Sequence, residues 1–100
     1  IIGVPSNDFA SQEPGSNAEI KTFCEAKFGI SFPITEKVSV KGLDAHPFYL
    51  WARENYGKSA VPKWNFHKII INRNGKVSET FTSITNPSSK KFVKALEKLI

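Results

Sequence analysis

The stretch Lys68-Ile69-Ile70-Ile71-Asn72-Arg73-Asn74-Gly75-Lys76-Val77-Ser78-Glu79-Thr80-Phe81-Thr82 reads as a β-hairpin. Lys68–Asn72 is apolar and β-branched, Asn74-Gly75 is a tight-turn dipeptide, and 76–82 alternates apolar with polar residues. Downstream, Asn86 stands where a helix cap belongs, with Pro87 at the first helical position. Phe92, Val93, Leu96, Leu99 and Ile100 then recur on one face of the expected helix. Upstream, a helix is expected from about Asp44–Pro47 through Phe48, Trp51 and Ala52 to about Asn55. Gly57 closes it, and 58–63 is a loop.

Farther out, Ile1–Val4 is an apolar run stopped by Pro5 and reads as the end of a buried strand. A polar loop follows. Ser16 and Glu19 then form a capping box, in which the hydroxyl accepts from the N–H three residues on. The helix they open carries Ile20, Phe23, Cys24 and Phe28 on one stripe and ends at Gly29. Residues 32–34 and 37–40 are expected to be extended. The order strand–helix–helix–hairpin–helix indicates an α/β fold, a mixed sheet flanked by helices. One hundred residues are enough for a single domain with one modest core.

Composition narrows the function classes. Forty per cent apolar residues and twelve aromatics suit a folded globule. No apolar run approaches the ~20 residues of a membrane span, so no membrane partner is expected. The net charge of +5 gathers in Lys90, Lys91, Lys94 and Lys98, offset by Glu97. Lysines on the solvated face of an amphipathic helix are ordinary, and no arginine-rich stripe or RNP-like signature accompanies them. Nucleic acid is therefore not expected as a partner. The single cysteine, Cys24, excludes an internal disulfide and multi-cysteine zinc patterns, which fits a reducing, cytoplasmic setting or a cysteine whose partner lies outside this sequence. His46 and His67 stand far apart with no third ligand at metal spacing, so both read as structural and no metal is expected.

Three residue groups remain as sites of chemistry, each with a plainer alternative. The loop 7–17 joins a strand's C-terminal end to a helix, where α/β folds gather ligand contacts, yet it equally suits a rigid turn with a cap. In Trp64-Asn65-Phe66 the indole N–H and amide NH₂ are donors suited to an anionic centre. The plainer reading places Trp and Phe in the core, with Asn closing a turn. Cys24, on the apolar face of its helix, reads equally as a small core hydrophobe.

Taken together, these segments resemble the glutathione peroxidase family. The resemblance is carried by Ile2-Gly3-Val4-Pro5-Ser6-Asn7-Asp8-Phe9, by Gln12-Glu13-Pro14-Gly15-Ser16-Asn17, and by Glu19-Ile20 with Phe23-Cys24. It continues in order through Phe32-Pro33, Lys37-Val38, Ala45-His46-Pro47, Lys63-Trp64-Asn65-Phe66 and Asn72-Arg73-Asn74-Gly75-Lys76-Val77. Many members carry Cys-Asn-Gln-Phe where this chain has Ser6-Asn7-Asp8-Phe9, and glycine in place of Ala10. These departures resemble a bacterial subgroup and leave Gln12 in place.

The resemblance implies a thioredoxin-like fold of the glutathione peroxidase type, of which residues 1–100 would be the C-terminal two-thirds. It also implies a peroxidase that reduces hydrogen peroxide or organic hydroperoxides in the response to oxidative stress. Thioredoxin or glutathione would be the thiol reductant, and no cofactor is implied. The family's nucleophile is a peroxidatic cysteine or selenocysteine in a segment that members carry before the position of Ile1. This chain has no residue matching it. Gln12, Trp64 and Asn65 match donors around that sulfur, and Cys24 matches the resolving cysteine of thioredoxin-dependent members. The short segment between His46 and Trp64, with Cys24 present, resembles the monomeric thioredoxin-using type.

An inactive fragment serving as an interaction or regulatory module is the alternative. In the implied fold the strand before the nucleophile lies between the Ile1–Val4 and Lys68–Asn72 strands. The chain alone is therefore expected to be poorly stable or to associate as a homodimer.

Overall fold

The structure, a computed structural model, describes residues 1–6, 8, 16–28 and 31–100, and the backbone alone for 23–28. The chain divides into two compact units, Ile1–His46 and Pro47–Ile100.

In the first unit Gly3 forms a parallel bridge with Ile34. Its N–H donates to the Pro33 carbonyl (2.8 Å) and its carbonyl accepts from the Thr35 N–H (2.9 Å), while the Pro5 carbonyl accepts from Val38 N–H (3.1 Å). A Cβ on Gly3 would stand 3.2 Å from the Phe32 ring, so the close approach of the two segments suits glycine. The apolar run 1–4 is not a buried strand here. Ile1 is 92% exposed and Ile2 is also exposed, because the pairing is confined to a single bridge and no layer covers these side chains within the unit.

Helix α1, Asn17–Phe28, starts as its capping box dictates: Ser16 Oγ accepts from Glu19 N–H at 3.3 Å. Of its expected stripe, Ile20 is buried, and the side chains of Phe23, Cys24 and Phe28 lie outside the described residues, as does Gly29. Asn17 Oδ1 accepts from Lys37 N–H (2.8 Å), and Asp8 Oδ2 accepts from the N–H groups of Val40 (2.7 Å) and Lys41 (3.3 Å). Side chains, rather than a strand ladder, thus satisfy much of the 37–41 backbone. That is why 37–40 runs beside Pro5 without becoming a strand.

The second unit opens with α2, Pro47–Tyr56, whose first residue is the proline that needs no N–H partner there. Arg53 carbonyl accepts from Gly57 N–H (2.9 Å), and a 3₁₀ turn, Lys58–Ala60, follows. Ala52 and Ala60 are wholly buried.

Strands β1 (Lys68–Ile71) and β2 (Val77–Phe81) form the expected hairpin. Its turn differs from the two-residue type. Gly75 has φ +77 while Asn74 does not enter the left-handed region. Gly75 N–H donates to the Asn72 carbonyl (3.0 Å), and Asn72 N–H donates to the Lys76 carbonyl (2.8 Å). These are the marks of a three-residue loop with a glycine bulge. Asn72 decides this locally, because its Oδ1 accepts from both Asn74 N–H (2.9 Å) and Lys76 N–H (3.1 Å).

Helix α3, Lys90–Glu97, begins later than Asn86. Asn86 instead holds a turn through Ser88 N–H (2.8 Å), and Ser89 is the cap, accepting from Phe92 N–H at 3.3 Å. Ala95, with Phe92 and Leu99, packs on Ile70 and Phe81. Val93, Leu96 and Ile100, expected on that face, are exposed. The arc that meets Ile70 and Phe81 is that of Phe92, Ala95 and Leu99. No described helix is long and apolar enough to cross a membrane.

Candidate functional site

Of the four residues singled out, Gln12 lies outside the described residues, and Cys24 is placed on α1 by its backbone alone. Trp64 and Asn65 are described in full, on the segment between buried Pro62 and β1. The plainer reading of that segment does not hold for its two rings. Trp64 is 49% exposed and Phe66 73%, so neither ring is a core residue.

Asn65 does lie in a turn, at 65–66, but its side-chain nitrogen does not close it. Its Nδ2 is buried and has no hydrogen-bond partner among the described residues. A buried amide NH₂ without an acceptor costs free energy of about 1–3 kcal/mol, which a ligand's oxygen or sulfur would recover. Phe66 follows at φ +62, the one non-glycine residue in the left-handed region among those described. Backbone of this kind is maintained only where the surroundings impose it. Lys68 contributes to that, since its Nζ donates to the Phe66 carbonyl at 2.8 Å and to the Thr82 carbonyl at 3.4 Å.

His67, read from sequence as structural, has both ring nitrogens buried and without a hydrogen-bond partner among the described residues. Its pKa is lowered, first by burial and then by the charge of Lys68; Lys63 adds a little, and the Ser59 backbone opposes the shift without closing a hydrogen bond of normal geometry. Burial also lowers the Lys68 ammonium. That its nitrogens are buried depends on what surrounds the ring, and no local sequence pattern signals it. A shallow depression of about 270 Å³ borders Phe66 and Lys68 and is completed by residues 83–87; neither Trp64 nor Asn65 lines it. The arrangement presents neutral donors and lysine charge, suited to an electron-rich oxygen or sulfur rather than to a cation. Among the described residues, no three His, Cys, Asp or Glu side chains gather as a metal ion would need.

Residues 1–53 match the family model described as glutathione peroxidase. Gln12 and Cys24 fall inside that match, and Trp64 and Asn65 fall outside it. The glutathione peroxidase homolog BsaA of Bacillus subtilis is 43% identical over 91 residues, covering 87% of this chain and 56% of the relative. A hydroperoxy fatty acid reductase of Synechocystis is 41% identical, with the same shares. A glutathione peroxidase-like peroxiredoxin of Saccharomyces cerevisiae is 42% identical over 93 residues, covering 89% of this chain and 56% of the relative. The chain thus spans little more than half the length of these relatives. The crystal structure of Trgpx in apo form superposes with a TM-score of 0.66 at 33% identity, covering 96% of this chain and 56% of that one.

Proposed function

The chain belongs to the glutathione peroxidase family, with that family's thioredoxin-like α/β fold, and on that premise we propose that it forms the donor half of a thiol peroxidase site. The observation that carries this reading is the buried, partnerless Asn65 Nδ2 beside a half-exposed Trp64. Donors so placed lower the energy of a thiolate and of the negative charge that develops on a leaving oxygen.

The reaction proposed is that of a peroxidatic thiolate (or selenolate), supplied by the portion of the domain that this chain does not contain. The sulfur attacks the O–O bond of hydrogen peroxide or an organic hydroperoxide and takes the distal oxygen. The O–O bond breaks, a proton passes to the leaving oxygen, and sulfenic acid and water or an alcohol result. Gln12, Trp64 and Asn65 donate to the reacting atoms and move no proton themselves.

Cys24 is the proposed resolving residue. Its thiol attacks the sulfenic sulfur, water leaves, and a disulfide forms; a dithiol reductant then takes up the oxidation, returning two thiols. The absence of a long insertion between His46 and Trp64 favours thioredoxin over glutathione as that reductant, in the cytoplasm and in defence against oxidative stress.

In a full-length protein containing this sequence, Cys24→Ser is expected to leave the first reaction with peroxide within about twofold of wild type while abolishing turnover with thioredoxin. Stopped-flow oxidation and steady-state turnover with thioredoxin or glutathione check this. Unimpaired thioredoxin turnover of the variant would overturn the role of Cys24. The 100-residue chain alone is expected not to turn over peroxide, since donors without the nucleophile have nothing to activate. A full-length protein inert towards every peroxide and reductant would instead favour an interaction module.

By itself the chain is proposed to form a homodimer. Among the described residues β1 pairs with β2 only, so its second edge presents N–H and C=O groups that a strand from another copy would satisfy. Sedimentation velocity over a range of concentrations is expected to show the dimer, and a monomer at every concentration with one cooperative unfolding transition would refute it.

A further inference from the structure

The tripeptide 65–67 concentrates three buried nitrogens without partners, Asn65 Nδ2 and both ring nitrogens of His67, around the left-handed Phe66. A neutral imidazole bears this poorly. An imidazolium bears it worse, because it carries two donors and a full charge with nothing to accept either. The charges that act on the ring are those of Lys68, which begins β1, and of Lys63, on the segment before it. From the 3₁₀ turn only the Ser59 backbone favours the charged form.

Resting on the reading of Asn65 as a donor, we propose that His67 is its positioning residue: the neutral imidazole, its nitrogens buried, keeps the turn at 65–66 closed, and protonation opens it, so that acid withdraws the Asn65 amide from the site. Phe66 leaves its left-handed conformation, Lys68 Nζ releases the Phe66 carbonyl, and the imidazolium reaches water. Because the closed form binds the proton more weakly than the open form, closure is fully present above about pH 6.5, the ordinary value for histidine. It is lost progressively as the pH falls below that value toward the ring's lowered pKa. Across that window the open-to-closed ratio rises by up to about tenfold per pH unit, as one proton requires.

The test is a proton-detected NMR titration of the chain itself from pH 8 to pH 5. The His67 ring signal is expected to titrate, and the Asn65 side-chain NH₂ and Phe66 backbone signals to move with the same midpoint. In His67→Gln, which keeps a neutral polar group of similar reach, the Asn65 and Phe66 signals should hold their positions across the whole range. Asn65 signals that ignore the His67 titration in the wild-type chain would overturn the proposal, and that measurement decides even if the variant fails to fold. Asn65 signals that shift unchanged in His67→Gln would overturn it too. Neither result depends on peroxide turnover, so a failure here leaves the donor role of Asn65 standing, and an active Asn65 variant leaves this coupling standing.

Discussion

In a full-length protein containing this sequence, Asn65→Ala and Trp64→Phe are each expected to slow the reaction with peroxide by about 10²–10³-fold, the usual loss when one preorganised donor is removed. Gln12→Ala belongs to the same group. What separates this from ordinary damage is the expected stability. Asn65 Nδ2 makes no hydrogen bond among the described residues, so removing that nitrogen takes no hydrogen bond from them and relieves a buried donor of its desolvation. Asn65→Ala should therefore keep its midpoint of urea unfolding, or raise it, while losing activity. Such pairing of lost rate with retained stability is what a site residue produces and a packing residue does not. Stopped-flow rates of peroxide reduction, with reduction by thioredoxin measured separately, check the effect. An Asn65→Ala protein of wild-type rate, or one that loses stability and rate together, would show that the amide serves the fold.

The largest expected effect on the fold is that of Phe81→Ala. Phe81 is buried on the hairpin, meets Phe92 of α3 edge-on with ring centroids 5.3 Å apart, and has Lys91 Nζ 5.5 Å above its ring. With Ile70 and Ala95 it forms the buried cluster of the second unit. Truncation loses the transfer of a whole ring and leaves a cavity, about 3–5 kcal/mol together. In a small unit that is much of the total stability, so α3 should detach from the hairpin. Urea unfolding followed by tryptophan fluorescence measures it; a loss below about 1 kcal/mol would mean that the α3–hairpin contact is not what stabilises the unit. Ile71→Ala serves as the comparison, since that side chain is 40% exposed and should cost much less.

The elements legible in advance are those decided by hydrogen bonds spanning a few residues. Ser16 with Glu19 started α1, Pro47 started α2, Gly57 followed its last residue, and Asn-Gly placed the hairpin. Each depends on groups at most four or five residues apart, so the chain carries the signal wherever it lies. The misreadings have the opposite origin. Asn86 and Ser89 are both good caps, and the turn taken by the first left the helix to the second. The arc of α3 that is buried, with Ala95 at its centre, was then set by where Ile70 and Phe81 stand. In the same way Asp8 receives its N–H donors from residues 40 and 41, a pairing no local pattern predicts.

For the site, the sequence by itself determined which residues are donors and which family they resemble, because donor chemistry belongs to the side chain. Only the tertiary structure decided that Trp64 and Phe66 stand outside the core, and that Asn65 and His67 hide nitrogens that nothing in the described protein satisfies. Burial and hydrogen-bond satisfaction are properties of what surrounds a group, and those surroundings come from distant parts of the chain.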